Sequence, residues 1–156
     1  MCVAGCTTSE PGTAHTTAPV AVTSSPTPTE TLLPGSDSPN SAVGQVVDGF
    51  PTALLPVPAG AEVLVSSAVP VDGTDLTQVS LNLRTQQATA ELLAAISAPL
   101  VAAGFQAGTP SVAEPGLAAQ ATFSRDNGNE LLVAGILDRD GERTLTLGGR
   151  VRTAAP

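Results

Sequence analysis

Apolar and polar residues fall into regular periods only from about residue 49 onward. Ala61, Val63, Val65 and Val69 are interleaved with Glu62, Ser66 and Ala68, and Thr77, Val79, Leu81 and Leu83 with Gln78, Ser80, Asn82 and Arg84. A period of two sends successive side chains to opposite faces, so strands are predicted at 61–69 and 77–84. Val71-Asp72-Gly73-Thr74-Asp75 supplies turn residues between them and predicts a hairpin. Over 86–103 the period lengthens, with Leu92, Ile96 and Leu100 on one stripe of a helix and Gly104 as its C-terminal cap. Pro99 removes the bond to the Ala95 carbonyl and crowds it, at about 3 kcal/mol in a helix interior. A kink or break near Ser97 is expected, with Ser97 capping a second short segment that holds Pro99 in its first turn.

The last third reads as a meander. Ala119, Ala121 and Phe123 alternate with Gln120, Thr122 and Ser124; Asp126-Asn127-Gly128-Asn129 turns the chain. Leu131, Val133 and Leu137 lie on one face of the next strand, with Leu132, Ala134 and Ile136 on the other. Asp138-Arg139-Asp140-Gly141 turns it again into 144–151, where Leu145, Leu147 and Val151 alternate with Thr144, Thr146 and Arg150. Residues 106–116, with Pro110 and Pro115, carry no pattern and are read as a loop. The order strand, strand, helix and three strands predicts an α+β fold of two layers: an antiparallel sheet of about five strands with one kinked helix on one face. The strand at 131–137 is apolar on both faces, which marks it as central or as part of a partner surface.

Residues 7–48 are different in kind. They are rich in Thr, Ser and Pro, and short apolar pieces such as Ala18 to Val22 never establish a period. Such a segment buries too little surface to offset its ordering entropy, and its prolines favour extended conformations. As a coil it would span roughly 35–40 Å. The chain is therefore divided into residues 1–6, a disordered tether at 7–48, and a small domain at 49–156. Thr27-Pro28 is a possible acceptor for O-linked sugar beside the plainer reading of a solvated linker, and His15, the only histidine, falls in this stretch as a solvated bystander.

Composition narrows the function classes. The 156 residues carry 14 acids against 6 bases, all arginine, for a formal charge of -8. No basic stripe is available for phosphate backbones, so no nucleic-acid partner is expected. No run approaches the roughly 20 apolar residues needed to span a bilayer. Phe50, Phe105 and Phe123 are the only aromatics, so the core must be mostly aliphatic.

Both cysteines, Cys2 and Cys6, precede the tether, so no disulfide can staple the domain. Val3-Ala4-Gly5-Cys6 resembles the lipobox of bacterial lipoproteins, an aliphatic and two small residues before the cysteine that is acylated. The polar Ser/Thr/Pro stretch that follows has the composition of a tether leaving a membrane. Lipoprotein signals also need a basic segment and an apolar one of about 7–15 residues, and an in-frame leader upstream of Met1 is therefore expected. The alternatives are a floppy terminus with two reduced thiols, or half of a metal site, which lacks partners because zinc takes four ligands and only His15 is at hand.

A wider resemblance rests on Leu55-Pro56-Val57-Pro58-Ala59-Gly60-Ala61, the polar strand at 77–84 and the helix end Ala103-Gly104-Phe105. With the lipobox and tether, these are similar to small domains on cell-envelope lipoproteins of high-GC actinobacteria. The resemblance implies a lipid on Cys6, a place on the extracytoplasmic face of the cell membrane, and a small α+β domain, without a reaction.

The domain has no Cys, His, Lys or Tyr to act as nucleophile or base. Asp72, Asp75, Asp126, Asp138 and Asp140 lie in predicted turns, where Asp bonds local backbone, so no catalytic residue is expected. Asp138 to Glu142 lacks the spacing of a calcium loop and reads as a β-turn; no metal or cofactor is expected. Arg139, Arg143, Arg150 and Arg152 are read as a solvated face, with an anionic envelope polymer as an outside possibility. Two functions remain: a monomeric, non-catalytic module that binds an envelope protein or polymer through a sheet face or edge, and a carrier of a small apolar ligand between helix and sheet. The carrier needs a pocket of roughly 300 Å³ or more within a small core.

Overall fold

The computed structural model describes residues 38–109 and 113–153. Strands β1 (Ser41–Val43), β2 (Glu62–Pro70) and β3 (Leu76–Thr85) precede helix α1 (Thr89–Ala102), and β4 (Gln106–Ala107), β5 (Ala119–Arg125), β6 (Glu130–Arg139) and β7 (Glu142–Arg152) follow it. They form one antiparallel sheet in the order β1-β2-β3-β7-β6-β5-β4. The chain leaves β3 in the middle, crosses through the helix to the far edge, and returns strand by strand to pair β7 with β3.

The α+β class and the antiparallel sheet match the sequence pattern, and the five long strands lie within about two residues of their predicted positions. The sheet nevertheless has seven strands where about five were expected. The two extra ones are edge strands of three and two residues, too short to show a period. β4 lies in the stretch read as a loop. β1 lies in the stretch assigned to the tether, so the folded region extends N-terminal of residue 49.

Backbone pairing with β2 and one buried side chain hold that extension. The hydroxyl of Ser66 accepts from the Val47 N–H at 2.8 Å and donates to the Gln45 carbonyl at 3.0 Å. Ser66 is fully buried and has both hydrogen-bonding roles filled, so it fastens 45–47 to β2 without an orphaned polar group. Val47, Phe50 and Leu55 then enter the core.

β2 also corrects the predicted alternation. Its register with β3 shifts between Val63 and Val65, with Val63 opposite Leu83 but Val65 opposite Asn82. The extra residue, Leu64, is a β-bulge, and one extra residue reverses the faces of everything after it. Ser66 and Ala68 are buried, while Val65 and Val69, expected to share the face of Val63, are exposed.

The helix runs as one element through Pro99, so the predicted break is absent. Leu92, Ile96 and Leu100 are completely buried and flank the proline on the core side. Burial of such side chains, worth about 1.5–3 kcal/mol each, outweighs the proline penalty. Ser97 does not cap; its hydroxyl donates to the Leu93 carbonyl at 2.6 Å. The end is as expected. Gly104, at φ +87°, donates to Val101 and Phe105 to Leu100, both at 3.0 Å, the paired bonds of a Schellman motif.

The helix stripe shares one core with Val79, Leu81 and Leu83 of β3, Leu132, Ala134 and Ile136 of β6, and Leu145, Leu147 and Val151 of β7. All three phenylalanines are in it. Among the described residues no second α-helix covers the opposite sheet face.

Candidate functional site

The open face is set by register. On β6, Leu131, Val133, Gly135 and Leu137 alternate with core residues and stand opposite Arg150, Gly148, Thr146 and Thr144 of β7. Leu131 and Val133 are 37% and 40% exposed. Further across the same face, Ser67 and Ser80 share a hydrogen bond of 3.0 Å, and Thr146 donates to Asn82 at 2.8 Å. The expectation of an apolar outer face on 131–137 thus has a defined place, on the strand beside the sheet's centre.

A trough of about 560 Å³ runs over β6 and β7. It is lined by Gly148 and Gly135, with the Leu117 methyls lying over Gly135, by Val133 and Leu137, and by the polar residues Glu114, Gln120, Thr144 and Thr146. Residues 113–118 raise one side. Leu117 donates to the Glu114 carbonyl at 2.9 Å, Ala118 to the Ile136 carbonyl at 2.7 Å, and Glu114 to the Gln120 side-chain oxygen at 3.3 Å. A second depression of about 430 Å³, near the β6–β7 turn, shares Leu137 and Thr144 with the first.

The glycines of β7 differ in what they are for. A Cβ on Gly149 would collide with the Leu131 carbonyl, and φ there is +154°, so the strand pairing requires glycine. A Cβ on Gly148 would meet only the Val79 carbonyl, at 3.7 Å, an ordinary contact. The backbone does not demand glycine at 148; its absent side chain keeps the trough open.

At one end of the sheet lies a charge cluster that sequence reading missed. Glu130 opens β6 with its side chain 1% exposed. Arg125 grips it with two bonds of 2.9 and 2.8 Å, and Arg152 donates to it from its backbone at 2.9 Å and its guanidinium at 3.1 Å. Arg125 also donates to the Ala103 carbonyl at 2.6 Å and lies 4.5 Å over the Phe105 ring. Arg152 reaches Asp75 at 2.6 Å and Asp126 at 2.8 Å. Burial alone would raise the Glu130 carboxyl, but the hydrogen bonds and charges of Arg125 and Arg152 hold it below its ordinary value. Asp126 is lowered by its bonds from Arg152 and Asn129, and the Arg152 guanidinium is raised by Asp126 and Asp75. A depression of about 350 Å³ beside the cluster is lined by the same groups, already paired to one another.

Several expected roles change accordingly. Asp75, Asp126 and Asp138 spend their carboxylates on arginines rather than on local backbone alone. The arginines do not form one solvated face: Arg152 belongs to the cluster, and Arg143 pairs with Asp138 and donates to the Gln86 and Gly141 carbonyls. Among the described residues, Arg139 and Arg150 have no ion pair. Asp140 and Gly141, at φ +53° and +81°, form the expected hairpin turn. Glu130 gave no signal because a lone Glu after a turn normally indicates a solvated strand end. Cys6 and the residues Val3, Ala4 and Gly5 lie outside the described residues, as does the tether up to residue 37. Among the described residues no group of acidic or other ligating side chains could hold a metal, and no helix is long and apolar enough to cross a membrane.

No protein-family model matches the chain, nor does any curated protein or solved structure.

Proposed function

We propose that this protein is an envelope lipoprotein, anchored through a lipid on Cys6 to the extracytoplasmic face of the cell membrane, whose domain is a non-catalytic binding module. The observation that carries the binding role is the division of labour between the sheet faces. One face is closed by the helix, while the other presents exposed Leu131 and Val133 beside an open trough. The anchor rests on the lipobox Val3-Ala4-Gly5-Cys6 and on the Ser/Thr/Pro-rich stretch after it. One acyl chain binds a bilayer only marginally, whereas two hold stably, and the lipoprotein modification supplies at least two. The acidic chain has no affinity of its own for anionic lipid.

The test has two readouts in one experiment. In cells expressing the protein from its full gene, a photo-crosslinking residue is placed at Val133 in the trough or at Ala94 on the exposed side of the helix, each with Cys6 intact or as Cys6→Ser. The expected result is a membrane-associated protein that crosslinks from 133 and not from 94, and that turns soluble as Cys6→Ser. A Cys6→Ser protein still in the membrane after a salt wash would overturn the anchor, and equal crosslinking from both positions would overturn the binding face.

A further inference from the structure

The trough itself narrows the partner's chemistry, an argument that rests on the open sheet face being the binding surface. Glycine inside a strand weakens it, and where the fold does not need it, it marks a place where a ligand or another backbone approaches closely. Gly148 is such a residue, with no strained φ and room for a Cβ. Between Val133 and Leu137 the trough runs four residues along β6, about 13 Å, the length of about four residues of an extended chain. Thr144 offers a hydroxyl, Thr146 a hydroxyl oxygen whose proton already goes to Asn82, and Gln120 an amide NH2 whose oxygen already accepts from Glu114, groups that complement peptide N–H and C=O groups. No aromatic ring lines it on which a sugar face would stack, because all three phenylalanines are in the core. Glu114 is the only charged side chain on the rim and has no ion pair among the described residues, and the whole chain carries -8. Arg150, also without an ion pair among the described residues, stands on the same face opposite Leu131 but does not line the trough, so the complement to the rim is a cation at Glu114 itself.

From these observations we infer that the trough receives an extended polypeptide segment of a partner protein, with its backbone close over Gly148, an aliphatic side chain against Val133, and a Lys or Arg against Glu114. The test uses the full chain as Cys6→Ser, with amide NMR shifts read during three titrations. The probes are the hexapeptide acetyl-Thr-Leu-Lys-Val-Lys-Thr-amide, the same peptide with both lysines replaced by glutamate, and a tetramer of N-acetylglucosamine. The lysine peptide should shift the amides of Gly135, Thr144 and Gly148, with Gly148→Val weakening it about tenfold and Glu114→Gln removing its preference over the glutamate peptide. Glu114 is exposed on a loop, so its variant remains informative even if Gly148→Val fails to fold. Equal binding of the two peptides, no shift with the lysine peptide at millimolar concentration, or undiminished binding by a folded Gly148→Val protein would overturn the inference. Binding of the sugar in the trough in place of the peptide would overturn it while leaving the sheet face as a binding surface; loss of crosslinking from position 133 in cells would instead remove that surface.

Discussion

Around Glu130, five charged side chains occupy one another, with Glu130 accepting from two arginines that are also held by Asp75, Asp126 and the Ala103 carbonyl. Along the trough, Glu114 has no ion pair among the described residues, and Leu131 and Val133 remain partly exposed. The difference follows burial. A carboxylate withdrawn from water must be compensated within the chain, so the cluster ties the start of β6 to the ends of β5 and β7 and to the helix terminus. A rim left in water has no such requirement and is available to another molecule. The cluster therefore acts on stability, while the trough carries the binding role proposed above, and substitutions in the two should separate these effects.

The largest effect is expected from Glu130→Ala, which removes the buried acceptor shared by two half-buried arginines and should cost about 3 kcal/mol. Urea unfolding would measure it, and a loss below about 1 kcal/mol would mean that water replaces the carboxylate easily. Gly149→Ala comes next, at about 2–3 kcal/mol, because the added carbon must displace the Leu131 carbonyl inside the sheet.

Acid should act on the same region. Glu130 and Asp126 both have folded values lowered from the ordinary one, so their contribution is complete above the unfolded carboxyl range, about 4, and is lost as pH falls through the folded values. Stability should hold from pH 7 to 5 and fall toward pH 2, and the gap between wild type and Glu130→Gln should close over that fall. A gap of constant size at all pH values would separate the role of Glu130 from its charge.

The smallest effect belongs to the trough. Gly148→Ala should leave stability unchanged or raise it by about 0.5–1 kcal/mol, since a strand-interior glycine is intrinsically unfavourable and the methyl has room. Thermal unfolding of the Gly148→Ala and Gly149→Ala pair would give the sharpest form of the comparison: adjacent positions, the same substitution, opposite outcomes. A large loss at Gly148 would show that the trough floor is structural after all.

Much of the architecture was legible because it is local. Alternation located the five long strands, the Leu92, Ile96 and Leu100 stripe located the helix, and Gly104 marked its end. These follow from backbone geometry that repeats every two or 3.6 residues, which a linear string records directly. The resemblance of Val3-Ala4-Gly5-Cys6 to a lipobox is carried in the same way, by four consecutive residues, and the arginine-only acidic composition is read directly.

Tertiary structure decided the rest, because those features depend on residues distant in the chain. β1 exists through its pairing with β2, about twenty residues on, beside which the Ser66 hydroxyl fastens 45–47, and the bulge at Leu64 is fixed by pairing with β3, which is why Val65 and Val69 face outward against their period. Pro99 stays in the helix because the core, not local propensity, sets the balance there. Glu130 becomes buried only when the ends of β5, β6 and β7 meet, and Gly148 becomes the floor of a trough only when β6 and the 113–118 loop stand beside it. Sequence alone determined the five long strands and the helix; the sheet's register, joining residues up to 76 apart, decided which side chains close the core and which remain open to a partner.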